Sequence, residues 1–247
     1  MIDIQTHFVF PVHAVPPAGP LPADGETWTL RAAGGVTLEG VHFPPSESGT
    51  KSQLVLGFGG NGWNGQDVAE YFHMLFPRAH VVAFHYRGYR PSTGTPSAAA
   101  LIEDAPLIYD LAVERLRPAQ IFAGGFSIGS GIAAQLSARR RIDGLLLVTP
   151  FDSLKSVAQS FYPWLPIAPY FHHDIDAAAA LEESGTPCAI LAGADDEIVA
   201  AQRTDALRKR APALLFDRTI DRAGHNDIYA RSEFQLAMRE ALGALGG

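Results

Sequence analysis

The stretch Ile121-Phe122-Ala123-Gly124-Gly125-Phe126-Ser127-Ile128-Gly129-Ser130-Gly131-Ile132-Ala133-Ala134-Gln135-Leu136 decides the fold. Its opening is a short apolar run of the kind that forms a buried parallel strand, and its close reads as a helix lined with small residues. Between them, Gly125-Phe126-Ser127-Ile128-Gly129 matches Gly-x-Ser-x-Gly, a sharp strand-to-helix turn that lifts a serine hydroxyl clear of the sheet. The glycines leave room for that strained turn.

A serine is a weak nucleophile until a base takes its proton, and the base must be held by a third group. Folds that use this elbow order the three as Ser, Asp/Glu, His along the chain. His225, in Gly224-His225-Asn226-Asp227, follows a strand pattern at 214–220 and is the only histidine downstream of the candidate acids. Those acids are Asp195, Asp196 and Glu197, in a loop directly after the apolar run Ala189-Ile190-Leu191. By residue type alone, any of the three could orient His225.

Stabilising the oxyanion requires backbone N–H groups aimed at the developing charge. Ile128, the residue after the nucleophile, supplies the first, and the second is expected from the glycine-rich loop Gly57 to Asn64. No Gly-Lys-Ser/Thr follows that loop, and its spacing is not a dinucleotide fingerprint, so nucleotide binding is set aside. His172-His173-Asp174 invites a metal reading. Adjacent side chains rarely converge on one ion, however, so neither a metal nor a cofactor is expected.

Working outward from the elbow, Leu54-Val55-Leu56, Val81-Val82-Ala83-Phe84, Leu145-Leu146-Leu147-Val148 and Ala189-Ile190-Leu191 are further candidate strands. Helical patterns separate them: Val68, Phe72, Leu75 and Phe76 share a face, as do Leu107, Ile108 and Leu111 with Leu116 nearby, and Phe234, Met238 and Leu242. This alternation predicts an α/β fold, a mostly parallel central sheet flanked by helices, in a single domain over residues 1–247. Thr27 to Arg31 and Val36 to Val41 read as an antiparallel hairpin at the sheet edge. Residues 1–25 read as an irregular, proline-rich N-terminal arm. Residues 151–180 read as a cap insertion whose part from Phe151 to Asp176 carries Phe161, Tyr162, Trp164, Tyr170 and Phe171 among Pro163, Pro166 and Pro169. It has poor potential for regular structure and is expected to lie over the strand ends, where Phe161, Trp164 and Tyr170 would wall a substrate pocket.

Composition excludes several classes. Apolar residues make up 47% of 247 and charged residues 18%, against about 25% in typical domains, so disorder and coiled coil do not fit. A net charge of −7 and no basic run longer than Arg139-Arg140-Arg141 argue against nucleic acid. The single cysteine, Cys188, excludes an intramolecular disulfide framework. No secretory leader pattern opens the chain, and no apolar run approaches the roughly 18 residues of a membrane span, so a soluble, cytoplasmic protein is expected. Oligomeric state is left open.

Four separated stretches resemble the α/β-hydrolase superfamily, and within it the BEM46-like serine hydrolases. They are Gly57 to Asn64, His85-Tyr86-Arg87-Gly88-Tyr89-Arg90-Pro91-Ser92-Thr93-Gly94-Thr95-Pro96-Ser97, Gly125 to Gly129, and Gly224 to Asp227. The resemblance implies Ser127 as nucleophile and His225 as general base, and the pattern G-x-x-D-x-x-V laid on Gly193 to Val199 selects Asp196 as the acid. It also implies Asn61 as the second oxyanion donor. Gly59 stands where that branch usually has His, and Arg90 where its second motif usually has Gly. The activity so implied is cleavage of small-molecule acyl esters or thioesters. Amide or peptide cleavage by the same triad, or a non-catalytic binding protein on the same fold, would be the alternatives.

Overall fold

Successive side chains of a strand point to opposite faces, so a strand that is apolar at every position has to be covered on both. The computed structural model, which describes residues 4–49, 51–161, 163, 164, 166 and 170–246, meets that demand with one eight-stranded sheet. Its strands are β1 (Glu26–Arg31), β2 (Thr37–Phe43), β3 (Gln53–Phe58), β4 (Ala79–Phe84), β5 (Gln120–Phe126), β6 (Gly144–Val148), β7 (Cys188–Gly193) and β8 (Leu214–Ile220). They lie in the order β1-β2-β4-β3-β5-β6-β7-β8; β1 and β2 form an antiparallel hairpin, β2 pairs antiparallel with β4, and every other pairing is parallel. This is the α/β-hydrolase fold.

The helices are α1 (Ile4–Val9), α2 (Gly65–Leu75), α3 (Ala98–Leu116), α4 (Ile128–Ser137), α5 (Leu154–Phe161), α6 (Ala177–Ser184), α7 (Ala201–Arg210) and α8 (Ser232–Gly246). Two cores result, one on each face of the sheet. Leu145, Leu147 and Ile190 join the core shared with α3, α4 and α6, whereas Leu146, Val148 and Leu191 join the one shared with α2 and α8. The carboxyl ends of β3, β5, β7 and β8 lead into the loops bearing Asn61, Ser127, Asp196 and His225 respectively, which are the strand ends where open α/β sheets bind ligands.

Three expectations change. The arm is not irregular throughout, because Ile4–Val9 is a helix. Its prolines begin at Pro11 and leave the preceding turn free to coil. The cap also contains a helix, since its prolines all follow Phe161; the Ser153 hydroxyl accepts from the Ser156 N–H at 3.2 Å, as an N-cap does. Of the cap residues singled out from the sequence, Tyr162 and Pro169 lie outside the described residues. Finally, α3 buries Leu101, Ala105, Ile108 and Ala112, and leaves Leu107 36% exposed.

The rotation of α3 gives a direct test. Ile108→Ala is expected to lower stability by about 2–5 kcal/mol through loss of buried methyl groups, and Leu107→Ala by less than about 1 kcal/mol. Urea unfolding of the two variants checks this. A larger loss at Leu107 would mean that the helix presents the other face.

Candidate active site

Ser127 sits between β5 and α4 with φ 52° and ψ −118°, a conformation that L-residues avoid and that costs about 1–3 kcal/mol unless its surroundings impose it. The surroundings do impose it. The Ser127 N–H donates to the Val148 carbonyl at 2.9 Å, and the Ser130 hydroxyl donates to the Ser127 carbonyl at 2.6 Å. A Cβ on Gly125 would lie 2.1 Å from the Gly129 carbonyl oxygen, and one on Gly129 would lie 2.1 Å from that of Phe58. Only hydrogen fits at either position, which explains both glycines of the pentapeptide.

The loops after β7 and β8 bring two more predicted residues to the hydroxyl. His225 Nε2 lies 3.0 Å from Ser127 Oγ, and His225 Nδ1 lies 3.0 and 2.9 Å from the two carboxylate oxygens of Asp196. A carboxylate only accepts, so Nδ1 carries the proton and Nε2 accepts from the serine. Asp196 is itself fixed, its Oδ1 accepting from the N–H groups of Ile198 at 3.0 Å and Val199 at 2.7 Å. Of the three candidate acids, Asp196 alone reaches the ring among the described contacts. Asp195 is exposed, and its N–H donates to the Ala223 carbonyl at 2.9 Å. Glu197 accepts from the His225 N–H at 3.1 Å. That bridge between the two loops depends on their packing and has no signature in the sequence.

Asn61 and Ile128, the two candidate oxyanion donors, border the same cavity as Ser127. The loop carrying Asn61 is held from beneath by Tyr86 and Tyr89, whose hydroxyls donate to the carbonyls of Gly59 and Asn61, each at 2.7 Å. Burial raises both phenols above their ordinary pKa, so they stay protonated donors. Arg87, between them in sequence, pairs with the buried Asp104 through two hydrogen bonds and anchors the segment to α3.

The cavity in front of Ser127 measures about 720 Å³, within the usual range for a small-molecule site. Leu154, Val157, Ala158 and Phe161, spaced as one face of α5, form one wall, and Phe151, Tyr170, Phe171, Ile198 and Val199 contribute others. Phe161 and Tyr170 thus line the cavity. Trp164 does not; it is 79% exposed. The helical face ends at Phe161, and the turn around Pro163 carries Trp164 away from it.

Its place is taken by α1, which the sequence reading did not connect with the site: Gln5, Phe8 and Val9 line the cavity. The Gln5 side chain clamps α1 to the cap, its amide nitrogen donating to the Tyr170 carbonyl at 2.7 Å and its oxygen accepting from the His172 N–H at 3.0 Å. His173 Nε2 lies 2.8 Å from the Thr6 hydroxyl, and its ring packs edge-on against Phe10. The histidine pair thus fastens the arm, and among the described residues no cluster has the makings of a metal site. Nor, among them, is any helix long and apolar enough to cross a membrane.

A family model described as alpha/beta hydrolase fold matches residues 54–184. The uncharacterized protein Rv2307c of Mycobacterium tuberculosis is 30% identical over 221 residues, which is 86% of this chain and 78% of its own. The lysophosphatidylserine lipase ABHD12 of Danio rerio is 32% identical over 141 residues, 50% of this chain and 37% of its own. Among solved structures, the esterase Pf2001 of Pyrococcus furiosus aligns over 95% of this chain and 98% of its own, with a TM-score of 0.74 at 17% identity, a likeness of fold.

His85 opens the Tyr86 segment and accepts from the Gly65 N–H at 3.1 Å; burial lowers its pKa from 6.5 to about 4. The unfolded chain then binds the proton more tightly, so the stability present above pH 6.5 should fall as pH drops towards 4, by up to about 3 kcal/mol. Urea midpoints measured across that window check this. In His85→Gln the acid loss should shrink; an unchanged slope would assign it to other groups.

Proposed function

The chain belongs to the alpha/beta hydrolase fold family, and from that premise we propose that it is a serine hydrolase cleaving carboxylic esters or thioesters. The observation that carries this reading is the hydrogen-bonded series Ser127, His225, Asp196 at the wall of an apolar cavity. Ser127 Oγ attacks the acyl carbon while His225 Nε2 takes its proton, and Asp196 holds the ring and offsets the charge it gains. The oxyanion is held by the backbone N–H groups of Asn61 and Ile128, the latter at the amino end of α4, where the helix dipole favours negative charge. His225 then returns the proton to the leaving alcohol or thiol, and water, activated by the same histidine, releases the acid from Ser127. The chemistry needs no cofactor. The esterase and lipase named among the similar proteins support an ester substrate over an amide.

Ser127→Ala should abolish both ester hydrolysis and labelling by a fluorophosphonate probe, and a folded variant that still labels would remove the assignment. Asp196→Asn should lower turnover on the order of 10⁴-fold, as in the worked serine triad. Asp195→Asn should change it little, because Asp195 meets the histidine loop only through its backbone N–H. Reversal of the two effects in steady-state assays would place the acid at the wrong position.

The wall on α5 bears on chain length. Each methylene buried in the cavity adds up to about 0.8 kcal/mol, nearly fourfold in kcat/KM, until the cavity fills. Short to medium acyl esters are therefore expected to exceed both acetate and long-chain lipid in a p-nitrophenyl ester series. Phe161→Ala should flatten that series while leaving acetate hydrolysis intact, and Trp164→Ala should leave it unchanged. The opposite pattern would put Trp164 on the acyl path.

A further inference from the structure

On the basis of the esterase reading, we propose that the site selects uncharged acyl esters and thioesters and disfavours those whose leaving group carries phosphate. The cavity lining contains no Lys, Arg, Asp or Glu among the described residues, and the cap residues outside them, Tyr162, Leu165, Ile167, Ala168 and Pro169, are uncharged as well. Its amide groups are partly committed, Gln5 to the cap backbone and the Asn61 side chain to the Val9 carbonyl at 3.4 Å. The amino end of α4 is reserved for the oxyanion.

The charges just outside the lining reinforce this. Lys155, beside Leu154, pairs with Asp174 at 3.0 Å; Arg203 pairs with Asp152, beside Phe151, at 3.3 Å; and Arg231 pairs with Asp227, beside Asn226. Each of these cations therefore already faces a carboxylate. Asp195 and Glu197, both exposed, flank Asp196 on the loop that holds His225, and the whole chain carries −7. A phosphate group leaving past His225 would pass the exposed carboxylates Asp195 and Glu197, while Lys155, Arg203 and Arg231 are already paired.

What the mouth does offer is apolar surface. Phe8 is 78% exposed, Tyr170 69%, Phe161 50% and Ile198 40%, and all four line the cavity. An exposed apolar rim suits an uncharged leaving group and an acyl chain that enters from it. Acyl thioesters built on phosphorylated carriers fall on the disfavoured side, and thioesters of uncharged thiols on the favoured one.

Matched pairs test the proposal, because a shared octanoyl chain cancels the contribution of the acyl pocket. One pair is monooctanoylglycerol and its phosphate monoester; the other is the octanoyl thioester of N-acetylcysteamine and octanoyl-coenzyme A, all below their aggregation concentrations. The uncharged member of each pair should have the higher kcat/KM, by at least about tenfold. Added salt and Asp195→Arg should each narrow the gap by raising the rate on the phosphate-bearing member, with the uncharged member unaffected. Equal rates within both pairs, or preference for the phosphate-bearing members, would overturn the proposal while leaving the esterase reading in place. Turnover that survives Ser127→Ala would instead overturn the esterase reading, and the proposal with it.

Discussion

The close approach of α4 to the end of β3 is the constraint on which the site depends. With a Cβ on Gly129 only 2.1 Å from the Phe58 carbonyl oxygen, the first turn of α4 rests on the same backbone that continues into the Asn61 loop. One contact therefore fixes the height of Ser127, the direction of the α4 amino end and the distance from both to that loop. The strain in Ser127 persists because the chain on either side has nowhere else to go. Tyr86 and Tyr89 complete the arrangement from below, so the loop is held by buried hydroxyls that cannot ionise near neutral pH.

The histidine and acid loops are coupled in the same way. The Asp195 N–H donates to the Ala223 carbonyl, and the Glu197 carboxylate accepts from the His225 N–H, so one backbone bond and one side-chain bond join the two loops on either side of the Asp196 to His225 contact. Adjacent acids in one loop thus have different roles: Asp196 faces inward with both oxygens on the imidazole, Asp195 faces solvent, and Glu197 ties loop to loop.

This division marks the limit of what the sequence discloses. The sheet is legible because Leu145-Leu146-Leu147-Val148 and its counterparts must be covered on both faces, and the elbow because its glycines answer a steric demand that is local in sequence. Asp196 is separable from Asp195 and Glu197 only through the family pattern, since residue type is the same or nearly so. The cap is legible as an insertion but not in its pointing. Trp164 is the largest aromatic there, yet it lies past the end of the α5 face, and no pattern in the arm announces that Phe8 and Val9 occupy the space it was expected to fill. The face of α3 is misread for a related reason, because Leu107 looks more apolar than Ala105 or Ala112, whereas close helix packing selects the small residues.

The division of labour between sheet and appendages follows from these contacts. The reacting groups sit on loops whose ends are pinned by parallel strands, where displacement would break backbone hydrogen bonds. Walls that face the substrate come from α1 and α5, and both helices are tied to the cap segment after α5: α1 through the Gln5 amide to Tyr170 and His172 and through Thr6 to His173, and α5 through the Lys155 N–H to Asp174 bond at 2.9 Å. The Gln5 and Lys155 bonds involve exposed or half-buried groups, so breaking them costs little beside opening the core. Changes in α1 or α5 can therefore reshape what the cavity admits without moving Ser127, His225 or Asp196, because no hydrogen bond among those three passes through either helix.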